Sequence, residues 1–200
     1  YLNKNLKNLK KNFYAGYVLT CLGDRGEISF LKSIDEKSIS NKIALDFFKK
    51  AKIKVKYYNF IHRGSDERQY NSPRINLNIA SIMRTKYGKF KEYHTSLDNL
   101  KFIDLNKLKE STNIIVKIIQ KLQKNITPEI RTFGEPHLSK YGLYPTISKK
   151  NMSKEFNNIL NFVAYADGKR NLDELSNLLR LPYSNLFLFV DTENLVLHYF

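Results

Sequence analysis

Gly16-Tyr-Val-Leu-Thr-Cys-Leu22 is a short, nearly continuous apolar run closed by Gly16 on one side and Gly23 on the other. A run of this kind without polar alternation predicts a strand buried on both faces, as found in parallel or mixed sheets. Asp24 follows at once, at the place where an α/β sheet presents its ligands. Aspartate beside glycine is also ordinary turn chemistry.

The neighbouring segments extend the same reading. Leu2, Leu6, Leu9 and Phe13 recur at helical spacing ahead of the run, and Glu27 to Leu31 suits a second strand after a tight turn. Over 38–51, Ile43, Ala44, Phe47, Phe48 and Ala51 share one helical face. Ile53, Val55 and Tyr57 alternate with Lys54 and Lys56, a strand signal. His62 to Gln69 is polar and aperiodic, which predicts a loop. Asn78 to Met83 reads as another strand, and Lys107 to Lys124 as a long helix with Ile115, Ile118, Ile119 and Leu122 inward. Strands alternating with helices imply an α/β layer architecture.

The pattern changes after residue 125. Pro128, Gly134, Pro136, Gly142 and Pro145 mark 126–152 as an ordered connector. Over 153–200, Phe156, Ile159, Leu160 and Val163 form a helical stripe. A second helix begins at Asn171 as N-cap with Glu174 three residues on, and buries Leu172, Leu175, Leu178 and Leu179. A third carries Leu186, Phe189 and Val190, and Leu195 to Phe200 ends as a strand. Three short helices and a strand predict a small winged-helix-like module.

Composition limits the function classes. With 42% apolar and 26% charged residues over 200 positions, the chain has bulk for a real core. No run approaches the roughly 18 consecutive apolar residues of a membrane-spanning helix. Cys21 is alone, so no internal disulfide or structural zinc knot forms, and a cytoplasmic protein is expected. The net charge of +15 invites a nucleic-acid reading. Its location argues otherwise: residues 151–200 balance at −2 and residues 1–150 at +17. The module shaped like a DNA binder lacks the clustered cations that phosphate contacts need, so a protein-contact or interdomain role is expected for it.

Among residues able to do chemistry, His94 in Lys91-Glu-Tyr-His-Thr-Ser-Leu-Asp98 is a good metal-ligand setting, near a strand end and followed by small hydroxyls. Asp66 and Glu67 lie beside Arg63 and Arg68, an arrangement that equally suits a loop ion-pair cluster.

Arg63-Gly-Ser-Asp-Glu-Arg-Gln-Tyr70, the strand through Ile79-Ala-Ser-Ile-Met-Arg84 and Glu92-Tyr-His-Thr-Ser96, in that order, resemble a bacterial zinc aminopeptidase-like family. Its members are described as polysaccharide-biosynthesis proteins with an aminopeptidase-like domain and are similar to the co-catalytic zinc exopeptidases. Tyr17 to Asp24, Arg84-Thr-Lys-Tyr-Gly88, Glu135-Pro136, Gly142-Leu-Tyr-Pro145 and Tyr165-Ala-Asp-Gly-Lys169 add to the match, which covers essentially the whole chain.

The resemblance implies an α/β fold: the C-terminal half of a zinc-exopeptidase-like mixed-sheet domain over 1–125, the connector over 126–152, and the winged-helix-like module over 153–200. It implies metal-assisted hydrolysis of an amide, with His94 and Asp24 as zinc ligands and Asp66, Glu67, Arg68 and Tyr70 on the substrate side. The substrate class is a peptide or an amide-containing small molecule; polysaccharide biosynthesis follows from the family description alone. The family's first histidine ligand, bridging aspartate and catalytic glutamate would all precede Tyr1, so no catalytic residue is assigned in this chain. Two protein ligands cannot hold a zinc pair, so zinc is expected in an intact protein of which this chain is a part. The missing N-terminal half of the domain is then its expected partner, and a homo-oligomer stays open. A non-catalytic binding or assembly protein that keeps the fold is the second reading, and a nucleic-acid binder the third.

Overall fold

The computed structural model describes residues 1–141, 154–190 and 196–199. It divides into two compact units, Tyr1–Ile119 and Gln120–Phe200.

The first unit opens with α1 (Leu2–Asn12), whose apolar stripe is half-buried, and continues through β1 (Tyr17–Leu19) and β2 (Ile28–Leu31). Helix α2 (Ile39–Lys50) starts at Ser38, whose side chain accepts the Asn41 amide as an N-cap. Then come β3 (Val55–Tyr58), a 3-10 turn (Phe60–His62), the one-turn α3 (Glu67–Tyr70), β4 (Ala80–Met83) and α4 (Leu105–Lys124). The stretch expected to be aperiodic thus ends in helix α3, because Glu67 folds back onto the amides of its own loop.

The four strands form one mixed sheet in the order β1-β4-β2-β3. β1 runs parallel to β4, β4 antiparallel to β2, and β2 parallel to β3. The central strands β2 and β4 are buried at every position, as a strand covered on both faces must be. Phe30 and Phe48 meet edge-on at 5.7 Å, joining β2 to α2, while Ile114, Ile115 and Ile118 are the buried residues of α4's apolar face. Two inward expectations fail here. Ile119 is 44% exposed, and Ala51 is exposed because α2 has ended at Lys50. β1 is also shorter than the apolar run that suggested it, although Thr20 still donates to Ile82 O and Cys21 O still accepts from the Arg84 amide.

The second unit contains β5 (Thr127–Ile130), a 3-10 turn (Leu138–Tyr141), α5 (Lys154–Tyr165), α6 (Leu172–Leu179), α7 (Tyr183–Val190) and β6 (Val196–Tyr199). β5 lies inside the segment expected as connector and pairs antiparallel with β6, Thr127 opposite Tyr199. The Asn171 cap forms as a full capping box with Glu174. Arg180 ends α6 in the left-handed region, so the chain turns at Leu181-Pro182 into α7. Phe156, Phe162, Leu172, Leu175, Leu186 and Val190 form the core of this winged-helix unit. Leu178, expected inside, is 49% exposed. The Gly142-Leu-Tyr-Pro145 motif lies outside the described residues.

No helix of the described residues is long and apolar enough to cross a membrane.

Candidate functional site

The pairing of β4 with both β1 and β2 gathers three chain ends at one end of the sheet: the exits of β1 and β4 and the entry to β2. Asp24 is buried there, in the turn between β1 and β2. Its Oδ1 accepts hydrogen bonds from the Gly26 amide at 2.7 Å and the Thr85 hydroxyl at 2.6 Å, and its Oδ2 from the Thr85 amide at 3.0 Å. A Cβ at Gly26 would fall on Thr85 Oγ1 and 2.7 Å from Asp24 Oδ1, so the turn closes only around glycine.

Arg84 fastens this turn from below, with 2% of its surface exposed. Its Nη1 donates to Gly26 O at 2.7 Å, and its Nε to Ser111 Oγ at 2.9 Å. Its Nη2 reaches Lys107 O at 3.1 Å and Glu110 Oε2 at 2.7 Å. Ser111 Oγ in turn donates to Leu22 O, so α4, β4 and the β1 exit share one polar network. Lys107 and Arg84 together hold the Glu110 carboxyl below its ordinary range, against the opposing effect of desolvation.

A second network fixes the Gly-Ser-Asp loop. Glu67 is completely buried. Its Oε1 accepts from the Gly64 amide at 2.7 Å, the Ser65 amide at 2.9 Å and the Tyr87 hydroxyl at 2.8 Å, and its Oε2 from the Ser81 hydroxyl at 3.1 Å. Burial works to raise its pKa, but these donors outweigh burial and hold the carboxyl below the usual value. The same burial and the Glu67 charge push the Tyr87 phenol well up. Asn71 completes the fit, donating to Glu67 O and Ile79 O while its own oxygen takes the Ile79 amide.

Tyr87 joins the two conspicuous motifs. Its hydroxyl holds Glu67, and its ring lies 6.5 Å from that of Tyr93, the residue before His94. The segment carrying Tyr93 and His94 leaves from Thr85, which grips Asp24, and returns at Asp104, whose amide donates to Gly23 O at 2.8 Å. Its two ends therefore close on the Asp24 turn. It contains no strand, contrary to the expected setting of His94 at a strand end. His94 is exposed, has φ +58 and stacks on Tyr93 at 4.0 Å. Cys21, also left-handed at φ +47, neighbours both Asp24 and Asp98. Burial first, then these two carboxylates, raise its thiol pKa, so it is not a poised nucleophile.

The expected substrate-side residues are spread out. Asp66 and Tyr70 line a cleft of about 410 Å³ along β1 with Phe13, Tyr17 and Val18. Arg68 is exposed and reaches Ser65 O at 3.4 Å, while Glu67 faces inward. The ion-pair cluster considered for this loop does not form among the described residues: Glu67 takes backbone and hydroxyl donors, and Arg63 lies over the Phe60 ring. Ser81, Arg84, Thr85 and Tyr87 received no role from sequence. The available signal was the polar run Arg84-Thr-Lys86 directly after Ile82 and Met83.

Among the described residues no group of three or more His, Cys, Asp or Glu side chains could hold a metal ion. The described residues therefore do not by themselves fit a zinc pair.

Residues 1–125 match the family described as a domain of unknown function, DUF4910, and residues 125–194 match a winged helix-turn-helix family. A protein of Clostridium acetobutylicum, provisionally described as a polysaccharide biosynthesis protein with aminopeptidase-like domain, is 34% identical over 148 residues. That match takes in 74% of this chain and 34% of the relative. A crystal structure of a provisionally described peptidase, also from Clostridium acetobutylicum, superposes with a TM-score of 0.60 at 28% identity. It covers 99% of this chain and 44% of that one, so the chain spans less than half the length of either relative.

Proposed function

Because this chain belongs to the DUF4910 family through residues 1–125 and carries a winged helix-turn-helix behind it, we propose that it is part of an aminopeptidase-like amide hydrolase. The observation that carries the reading is the closure of the His94 segment on the Asp24 turn through Thr85 and Asp104. Two residues with metal-ligand chemistry, 70 positions apart in sequence, lie on one connected piece of backbone at the end of a mixed sheet, where α/β folds concentrate their chemistry. The likeness to proteins described as aminopeptidase-like and as a peptidase supports the same class.

In this reading Asp24 and His94 contribute to a zinc site whose other ligands come from the remainder of the aminopeptidase-like domain. That remainder is the partner of this chain. The substrate is a peptide or an amide-bearing small molecule, with a link to polysaccharide biosynthesis resting on the relative's description. Asp66, Arg68 and Tyr70 take the substrate-facing roles, and Glu67 holds their loop. The winged-helix unit makes protein contacts, since α7 carries neither lysine nor arginine.

Zinc content tests the reading in protein spanning the whole aminopeptidase-like domain, with and without His94→Ala. Stoichiometric zinc, reduced by the substitution together with aminoacyl-amide hydrolysis, is expected. Zinc absent from both proteins, or equal in both, refutes it. The second reading, a non-catalytic binding protein that keeps the fold, then takes over.

A further inference from the structure

Lys86 is enclosed to 9% exposure, unusual for a residue that otherwise seeks water. Its ammonium lies 3.9 Å from the centre of the Tyr87 ring and 5.8 Å from that of Tyr58. Among the described residues it makes no hydrogen bond to an acceptor and no ion pair; its recorded interactions are these two rings and the field of Glu67 and Lys89. Glu67 already takes four donors on its carboxylate. The stem is sealed in protein, and the ammonium is the less enclosed end of the side chain.

An ammonium so placed has three donors and an aromatic bed but no counter-charge in contact. Ring contacts of this kind return about 0.5–2 kcal/mol, against several kcal/mol for desolvating an ion. Burial indeed lowers the pKa of this lysine, as does Lys89, while Glu67 opposes both. The position in the chain gives the arrangement its meaning. Thr85 on one side grips Asp24; Tyr87 on the other grips Glu67 and abuts Tyr93, next to His94. The unpaired cation thus lies in sequence between the residue that holds Asp24 and the residue that holds Glu67.

We propose that the Lys86 ammonium binds an oxyanionic group of the substrate, a carboxylate or a phosphate, and gives the site a preference for acidic substrates. The preference rests on the hydrolase reading; the anion site itself does not.

Acylation of lysines in the full chain, mapped by peptide mass spectrometry, tests this with exposed Lys89 as internal reference. The reaction is run in phosphate, acetate or chloride at matched ionic strength. Selective slowing of Lys86 by phosphate assigns a phosphate-bearing substrate, and selective slowing by acetate assigns a carboxylate. No slowing beyond chloride, or equal slowing of Lys86 and Lys89, overturns the proposal. For the protecting anion, Lys86→Gln is expected to weaken binding about tenfold, the loss carried by one charge-assisted hydrogen bond, while Lys86→Arg retains most of it. Unchanged affinity in a folded Lys86→Gln protein overturns the proposal as well. Neither measurement reads zinc or hydrolysis, so failure here leaves the hydrolase reading standing, and failure of that reading leaves the anion result standing.

Discussion

Replacing Glu67 by glutamine changes one charge and almost no volume, which isolates the electrostatic role of the carboxylate beneath the Gly-Ser-Asp loop. In the wild-type protein Oε1 takes three donors, the Gly64 and Ser65 amides and the Tyr87 hydroxyl, and Oε2 takes Ser81. The glutamine oxygen can keep the first three, and the Ser81 hydroxyl can rotate to accept from the new amide. Pairing survives, but all four charge-assisted bonds become neutral ones. Bonds to charged groups contribute about 1.5–3 kcal/mol and neutral ones about 0.5–1.5. The expected loss, after relaxation, is about 2 kcal/mol.

The assay is amide exchange at Ala80–Met83, the central strand of this unit, at neutral and acidic pH. The Glu67 pKa is lowered in the folded state, so its stabilisation is complete above the unfolded value near 4.5 and is lost as pH falls through the folded value. The gap between wild type and Glu67→Gln should therefore be widest at neutral pH and narrow below about pH 4.5. A gap near zero at pH 7, or one unchanged on acidification, would refute the account of Glu67 as a charged tie for the loop.

Further substitutions probe the other networks. Arg84→Lys keeps the charge but loses the fork that reaches Gly26, Lys107 and Ser111 together; destabilisation of about 2–3 kcal/mol is expected in denaturant unfolding, and a neutral result would show that these bonds are not coupled. Asn171→Ala removes the capping box of α6 and should cost about 1 kcal/mol, read as a lowered melting temperature of the second unit.

Much of the fold was legible in sequence, and the failures share a cause. β2, β4 and the Asn171 cap follow from local pattern: short apolar runs interrupted by a single serine for the buried strands, and an amide cap with glutamate at its third position. β5 has no strand periodicity in Thr127-Pro-Glu-Ile130 and forms through tertiary pairing, with β6 on one side and the Asp167 segment on the other. Ile119 and Leu178 were placed inside by spacing, but the apolar faces of their helices are wider than the surfaces covering them. Within the candidate site, Asp24 and His94 were visible as residue types in good settings. The partners that restrain them were not. Thr85 reaches Asp24 across 61 positions, a distance at which only tertiary structure brings a hydroxyl to a carboxylate.

The position of β4 has a consequence for how the first unit comes into being. Although it is the last strand of its sheet to be synthesised, it is laid between β1 and the β2–β3 pair, and among the described residues β1 has no other strand neighbour. Among the described residues, those before Ala80 supply a parallel β2–β3 pair and leave β1 without a strand neighbour. Order across the sheet waits for a contact separated by about 60 residues, whose closure carries an entropy penalty before any ladder bond repays it. The unit should therefore assemble late and in one cooperative step rather than strand by strand, with Ala80–Met83 as the piece that commits it.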